Sequence, residues 1–257
     1  MGFKIDWKKH FDQIYCISFL GQMQKIPRLE SELRRVGILR SGIFNMRYTS
    51  PSPYDDVIFD REREKGNRMI PNKGFVNLCL EIRRSLAEAI AFGYERILLL
   101  ENDVAFLKDL KELDRLFGQV PHGCGIAQYD KFVNDYSVED YRHRVACRKL
   151  NDAYFDGRGG FYTSAACIGL FGNGISEMKR LMDESIWPTD IAYQKMRCGY
   201  AIAIKNLAIQ VFYQESMSLK DCGLGLDYMH KIYRNADIDY SEYSIPLGYG
   251  YGKFIVG

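Results

Sequence analysis

The most constraining feature of this sequence is an amphipathic segment that leads into a short aliphatic one. Over residues 74–92 apolar side chains recur at helical spacing, and Gly93 follows where such a helix would end. Residues 96–100 are then dominated by aliphatic side chains, a pattern typical of a strand buried on both faces. A helix followed by a buried strand is the repeating unit of an α/β domain, so we predict a mostly parallel central sheet flanked by helices.

Comparable patterns occupy most of the chain around this unit. The apolar spacing predicts further strands at 13–20, 44–49, 123–128, 161–171 and 201–213, and further helices at 23–36, 108–117, 175–182 and 188–197. Residues 60–68 are highly charged, and we predict a solvated loop there. Residues 130–156 are polar and rich in tyrosine, and we predict a long irregular, lid-like region.

The sequence contains no internal repeat and no shift in composition that would mark a second domain. A length of 257 residues suits one large α/β domain. We therefore predict a single domain over residues 1–257. Its last part, residues 219–257, is rich in glycine and tyrosine, and we predict an irregular C-terminal tail.

The net charge and the cysteine content limit which classes of binding partner and which cellular compartment fit the sequence. The formal net charge is +2 and the basic residues are scattered along the chain, which argues against nucleic acid as the main partner. A local basic patch for a pyrophosphate or a membrane surface stays open. The seven cysteines include no CxxC pair, which indicates free thiols in a reducing compartment. Because neither a signal core nor a spanning stretch is found, we expect a cytoplasmic protein, with peripheral contact with the inner membrane left open.

Two carboxylates follow the aliphatic strand at the point where ligands bind in an α/β sheet. Glu101 and Asp103 flank Asn102 directly after that strand, and the carboxyl ends of parallel strands form the ligand-binding edge. Mg²⁺ and Mn²⁺ prefer oxygen ligands and keep further positions for phosphate oxygens and water. The pattern therefore predicts a metal site that holds a diphosphate. A solvated loop or a helix cap is the alternative explanation of the same acidic turn.

The order of motifs is similar to that of a known enzyme family. Over roughly residues 14–217 the chain resembles glycosyltransferase family 25, the lipopolysaccharide-biosynthesis galactosyltransferases. The similar segments are residues 14–19 with Arg28 downstream, 74–104, 165–171, Pro188-Thr189-Asp190 and Gln214-Glu215-Ser216. The departures are that the family has Glu-Asp-Asp at Glu101-Asn102-Asp103, Asn-Leu-Asp at Ser18-Phe19-Leu20, and Ser-His at Glu81-Ile82.

The resemblance implies a GT-A-like fold and a metal-assisted, inverting transfer of a galactose-type sugar. The donor would be a nucleotide-diphosphate sugar, a UDP-sugar above all, and the acceptor a glycan or a lipid-linked glycan. The metal would be Mn²⁺ or Mg²⁺, held mainly by Asp103 and secondly by Glu101, because Asn102 replaces the family's middle carboxylate. Ser18, Arg28 and the acidic triplet would contact the donor.

Asp190 matches the position of the family's general base, which takes the proton from the acceptor hydroxyl. Thr189 or Asp190 would also cap the helix that follows Pro188, and the two roles are compatible. His230 would be a further metal ligand, with an exposed histidine as the alternative. Arg28 would reach a phosphate, with a plain exposed position on its helix as the alternative.

Two other functions are compatible with these motifs. A sugar nucleotidyltransferase also places carboxylates after a strand to hold Mg²⁺, but it usually has a glycine-rich basic loop near its N-terminus, and residues 19–28 contain one glycine. A degenerate GT-A domain would bind a sugar or a protein partner without turnover. Kinase, dehydrogenase, zinc-protease and serine-hydrolase functions lose support because their signatures are absent from the sequence.

Overall fold

A computed structural model of the chain describes residues 3–67, 73–133, 138–158, 162–211 and 238–244. The helices within this part are α1 Trp7–His10, α2 Ile26–Arg35, α3 Pro53–Glu64, α4 Lys73–Ala91, α5 Leu110–Phe117, α6 Val138–Cys147, α7 Asn173–Glu184 and α8 Thr189–Gln194. The strands are β1 Gln13–Phe19, β2 Phe44–Thr49, β3 Arg96–Glu101, β4 Val104–Phe106, β5 Cys124–Gln128, β6 Phe132–Val133, β7 Tyr154–Asp156, β8 Tyr162–Thr163, β9 Cys167–Phe171, β10 Gly199–Ala203 and β11 Ala208–Gln210. Short 3₁₀ turns lie at Leu20–Lys25, Ile38–Arg40 and Tyr240–Glu242.

The centre of the fold is a seven-stranded sheet in the order β2-β1-β3-β9-β5-β10-β7. β1 pairs in parallel with β2 and β3, and β5 with β10, whereas β9 and β7 run against their neighbours. Five of the seven strands therefore share one direction. The predicted α/β class with a mostly parallel central sheet is confirmed, and two small sheets, β11-β4 and β6-β8, accompany it.

Each face of the central sheet has its own apolar core, covered by helices. Along β1 the side chains alternate between the two, since Ile14 and Cys16 belong to one core and Tyr15 and Ile17 to the other. Helices α2 and α5 pack on the first face, and α4, α7 and α8 pack on the second. The predicted helices on both faces are therefore present.

The amphipathic segment forms α4 and the aliphatic segment forms β3, as predicted. Of the predicted apolar stripe, Ile82, Leu86 and Ala89 are buried, whereas Ile90 is exposed. Gly93 has a φ of +70°, a left-handed conformation that glycine adopts at little cost, so the chain turns there into the strand.

The prediction of a charged, solvated loop over residues 60–68 is wrong. The first five of these residues continue α3, which begins with a capping box formed by Ser52 and Asp55. Asp55 and Glu62 are buried on the inner side of this helix, and Glu62 accepts a hydrogen bond from Ser185 Oγ at 2.6 Å. A highly charged helix can pack here because its inward carboxylates find donors.

The irregular region predicted over residues 130–156 is wrong in part, because α6 and β7 lie within it. β7 joins the edge of the central sheet by pairing with β10. Tyr141 holds α6 in place, since its ring contacts Phe155 at 6.3 Å and its hydroxyl donates to Ile204 O at 3.2 Å. The few apolar anchors of this region are hidden among polar residues in the sequence. Residues 134–137 and 159–161 lie outside the described part.

No helix in the described ranges is long and apolar enough to cross a membrane. Of the predicted tail, residues 219–257, the structure describes 238–244, where Tyr243 is buried and donates to Asn206 O at 2.7 Å. The single-domain organisation over residues 1–257 stays a prediction.

Candidate functional site

The acidic triplet lies where β3 ends, at the edge where β1 and β2 also end. Glu101 is the last residue of β3, and Asn102 and Asp103 form the turn into β4. This turn opens into a cleft whose empty volume, solvent mouth included, is about 540 Å³. The residues around the cleft are Ile17, Phe19, Gln22, Lys25, Phe75, Leu78, Glu101, Asn102, Asp103 and Gln210.

Asp103 has one bonded and one unbonded carboxylate oxygen. Its Oδ2 accepts a hydrogen bond from Gln210 Nε2 at 3.2 Å and lies 3.7 Å from Lys25 Nζ. Its Oδ1 is buried and has no hydrogen-bond partner among the described residues. Leaving a buried acceptor unsatisfied costs about 1–3 kcal/mol, and such an atom is often explained by an ion or ligand. The chemistry of Asp103 therefore fits a cation ligand.

Glu101 is held among other carboxyl groups. Burial raises its pKa well above the usual value, and Asp103, Asp130 and Asp190 raise it further, while Lys25 acts in the opposite direction. Of these carboxyl groups, Glu101 and Asp103 line the cleft, whereas Asp130 and Asp190 are not among its lining residues. A divalent cation placed between Glu101 and Asp103 would relieve their repulsion and favour ionised Glu101.

Asn102 lines the cleft, but its amide nitrogen already donates to two neighbouring side chains, one of them Ser18. Asn102 Nδ2 donates to Ser18 Oγ at 2.9 Å and to Gln22 Oε1 at 2.9 Å. Ser18 is fully buried at the end of β1, and Asn102 is 5% exposed. The middle residue of the triplet therefore ties the acidic turn to β1 and to the 3₁₀ turn after it. The donor contacts predicted for both residues stay predictions.

Arg28 supports the same turn from the opposite side. Its guanidinium donates to Val104 O at 2.9 Å and to Asn102 O at 3.1 Å. It is 9% exposed, so it is not the exposed helix arginine that the sequence offered as an alternative. Its phosphate contact stays a prediction, because in this arrangement both terminal nitrogens bind the backbone.

Asp190 lies at the start of α8, on the second core face. Burial raises its pKa to about 6, although the backbone N–H groups of Asp190 and Ile191 lower it. Pro188 is the N-cap of α8, so neither Thr189 nor Asp190 occupies that position. Capping by Thr189 is wrong, because its Oγ1 is buried without a hydrogen-bond partner among the described residues. The Asp190 carboxylate does accept hydrogen bonds from N–H groups at the start of the helix, as predicted. Asp190 still lies close enough to Glu101 to raise its pKa.

Asp130 is a candidate that the sequence patterns did not single out. It follows β5, which runs in the direction of β3, so its carboxylate belongs to the same edge of the sheet. It accepts from Ala166 N at 3.1 Å and from Cys167 N at 2.9 Å, and burial raises its pKa to about 7. Because Glu101 N donates to Ala166 O at 3.0 Å, Asp130 fixes the loop that positions Glu101.

A carboxylate two residues after a predicted strand was the available signal for Asp130. Gln22, Lys25 and Gln210 also line the cleft, but they lie in a 3₁₀ turn and in β11 without any motif. Among the described residues, no group of three or more His, Cys, Asp or Glu side chains is arranged to hold a metal ion. His230, the predicted further ligand, lies outside the described residues.

Comparisons with known proteins identify no family for this chain. No family model matches the chain, and no curated protein matches it. Among solved structures, mouse xyloside xylosyltransferase 1 in its apo form is similar to 70% of this chain and 79% of that chain, with 12% identity and a TM-score of 0.36. A glycosyltransferase is thus a distant structural neighbour, but a likeness this weak carries no weight for family or activity. Of the predicted GT-A-like architecture, the helix-flanked, mostly parallel sheet is present.

Proposed function

We propose that the chain is a GT-A-like glycosyltransferase of the family 25 type, which moves a galactose-type hexose from a UDP-sugar to a glycan or glycolipid acceptor. The observation that carries the proposal is the unbonded, buried Oδ1 of Asp103 in a cleft that Glu101 also lines. The position of this cleft at the carboxyl ends of parallel strands supports it, because nucleotides bind at that edge in open α/β sheets.

Asp103 and Glu101 are the residues that would hold Mn²⁺ or Mg²⁺. When bound, the cation would supply positive charge to the departing nucleoside diphosphate. Lys25, whose Nζ lies 3.7 Å from Asp103 Oδ2, adds a fixed positive charge on the same wall of the cleft. Asn102 and Arg28 hold the turn in place, so that the carboxylates need little reorganisation when a donor binds.

Asp190 is the residue that would accept the proton of the acceptor hydroxyl. A base with a pKa of about 6 is mostly ionised at neutral pH and still basic enough to take that proton. Direct attack of the hydroxyl on the anomeric carbon then inverts its configuration. Asp190 as a whole residue is half-buried at the start of α8.

Nucleotide release from UDP-galactose, UDP-glucose and other UDP-sugars tests the proposal, measured with Mn²⁺ and with EDTA. We expect UDP to stabilise the fold against heat in the presence of Mn²⁺, and UDP-sugar turnover to require the metal. If no nucleotide or metal changes the unfolding temperature and none of the donors is consumed, both the donor and the metal are refuted.

Two matched aspartate variants assign the effect to the site. Asp103→Asn removes the proposed ligand charge, whereas Asp60→Asn makes the same change at an exposed position on α3. Losing an outer-shell partner alone typically costs about 10- to 100-fold in metal affinity, so Asp103→Asn is expected to cost at least as much. Asp60→Asn should leave Mn²⁺-dependent UDP binding unchanged. Equal affinities in the two variants would remove Asp103 from the site.

Assays on the unmodified protein also distinguish the two alternative functions. Metal-dependent UDP binding without any transfer would indicate a binding domain without turnover. Diphosphate release from UTP and a hexose 1-phosphate would indicate a sugar nucleotidyltransferase.

A further inference from the structure

A second cleft lies at the opposite edge of the sheet, between the segment before β1 and the chain that follows α2. Its empty volume, solvent mouth included, is about 1200 Å³. Five basic side chains and one acidic one line it, namely Lys4, Lys8, Arg34, Arg35, Arg40 and Asp6. We refer to this site as the basic cleft.

The charge of the basic cleft is unusual for this chain. The whole sequence has 35 basic and 33 acidic residues. Without the five basic residues and the one acidic residue of the cleft, 30 basic and 32 acidic residues remain. The positive net charge of the protein is therefore concentrated here, and basic residues that are scattered in the sequence meet in space. Such a concentration is the electrostatic footprint of an anionic partner.

Most of these cations are available to a partner. Lys4, Lys8, Arg34 and Arg40 are exposed, and none of them has an ion-pair or hydrogen-bond partner for its side chain within the described ranges. Arg35 differs, because it binds Glu32 in a bidentate pair at 2.7 and 2.9 Å and is fixed in place. The basic cleft therefore contains four basic side chains that are available to a partner and one, Arg35, that is paired with Glu32.

The basic cleft also combines a rigid apolar floor with an exposed aromatic ring. Trp7 is 1% exposed, donates from Nε1 to Val36 O at 2.8 Å and packs against Phe117 at 5.3 Å. Phe3, which lines the same cleft, is 41% exposed. Aromatic rings beside clustered Lys and Arg are typical of surfaces that bind the headgroup layer of anionic membranes.

We propose that the basic cleft docks the protein on an anionic phospholipid surface. The lipid phosphates would pair with Lys4, Lys8, Arg34 and Arg40, and Phe3 would enter the headgroup layer. β1 has seven residues, so the two edges of the sheet are roughly 20 Å apart. The carboxylate cleft would thus stay open to solvent in the docked protein, and docking requires no nucleotide.

Co-sedimentation with vesicles tests the proposal, using phosphatidylcholine alone and phosphatidylcholine mixed with phosphatidylglycerol. We expect binding to the mixed vesicles only, and weaker binding as salt is added. The double variants Lys4→Gln/Lys8→Gln and Arg34→Gln/Arg40→Gln should each lower the partition coefficient by roughly 30-fold, since each basic residue near an anionic surface contributes about fivefold. Phe3→Ser should weaken binding without altering its salt dependence.

A matched control removes two positive charges elsewhere. Arg61→Gln/Arg63→Gln changes two exposed residues of α3 that do not line the basic cleft, and it should bind mixed vesicles like the unmodified protein. Unfolding temperatures of all variants establish that they are folded. Equal losses in the control and cleft variants, or equal binding to vesicles without phosphatidylglycerol, would overturn the proposal. So would cleft variants that lose affinity for pyrophosphate or duplex DNA while still binding the vesicles, because the partner would then be a soluble polyanion.

Discussion

Arg28 holds the carbonyl oxygen of Asn102 at 3.1 Å and, with its other terminal nitrogen, that of Val104 at 2.9 Å. The guanidinium thus binds the backbone on both sides of Asp103. One turn further along α2, Glu32 Oε1 accepts from Phe106 N at 2.7 Å. Helix α2 therefore fixes the acidic turn and β4 from behind, which leaves the Asp103 carboxylate directed at the cleft.

This relationship predicts a large effect of Arg28→Lys on stability. A lysine carries one ammonium group and cannot reproduce the planar fork that reaches two carbonyls. With one buried carbonyl unsatisfied and one charged hydrogen bond lost, the free energy of unfolding should fall by about 3 kcal/mol. Urea denaturation measures it. The control Arg34→Lys changes an exposed residue of the same helix and should stay within about 0.5 kcal/mol of the original. Equal stability of the two variants would contradict the role of Arg28.

The pKa of Asp190 predicts the acid limb of the activity profile. Because burial raises this pKa to about 6, the ionised base is present above that pH and is lost as the pH falls through it. With metal and donor saturating, kcat should therefore fall about tenfold for each pH unit below about 6. Initial rates between pH 5 and pH 8 provide the test, and a rate that stays constant down to pH 5 would exclude Asp190 as the base.

Substitution of Asp190 separates chemistry from binding. Asp190→Asn keeps the shape of the side chain but cannot accept the proton, so transfer should slow by roughly 10²- to 10⁴-fold. UDP affinity should be unchanged, since the proposed donor ligands are Glu101 and Asp103. Asp183→Asn, at an exposed position on α7, is the control. Unaltered transfer by Asp190→Asn would leave this residue without a catalytic role.

Most of the fold could be predicted because its signals are local. The apolar spacing of α4 and the aliphatic run of β3 each lie within one continuous segment. The site depended on contacts between distant segments, such as Gln210 with Asp103 and Asn102 with Ser18. No local pattern indicates that Lys25 is buried beside Asp103. Asp130 follows a predicted strand, but only the strand order shows that this strand ends at the same edge as β3. The charged α3 escaped prediction because its stability depends on a capping box and on partners for buried carboxylates.

Asp12 predicts how stability depends on pH at the amino-terminal edge of the sheet. Burial raises its pKa, but hydrogen bonds from the Arg96 side chain at 2.7 Å and from the N–H groups of Glu95 and Arg96 outweigh this effect and lower it. The folded pKa lies below the unfolded value of about 3.9. The stabilisation is therefore complete above about pH 4 and is lost as the pH falls through the folded pKa.

Asp12→Asn should accordingly lower the free energy of unfolding by about 1 kcal/mol at pH 7, because the ion pair is partly exposed. The difference from the original protein should shrink at pH 3, where Asp12 itself begins to be protonated. Urea denaturation at several pH values measures both quantities, with Asp60→Asn as the exposed control. A difference that grows toward low pH would contradict the sign of the effect.

Asn102→Asp places a third carboxylate in the acidic turn and tests how added negative charge affects stability and metal binding there. The Asn102 amide now donates to Ser18 Oγ and Gln22 Oε1. An aspartate supplies no such donor and adds a further negative charge beside Glu101 and Asp103. With EDTA the unfolding temperature should therefore fall, because the repulsion around Glu101 increases. With Mn²⁺ the unfolding temperature should rise by more than it does in the original protein, since a ligand that binds only the folded state stabilises that state according to its affinity.

Asn173→Asp, which adds the same charge at an exposed position, should show no Mn²⁺-dependent difference. If Asn102→Asp also shows no Mn²⁺-dependent difference in unfolding temperature, no cation occupies this turn. Asn102 then serves only to join the acidic turn to β1.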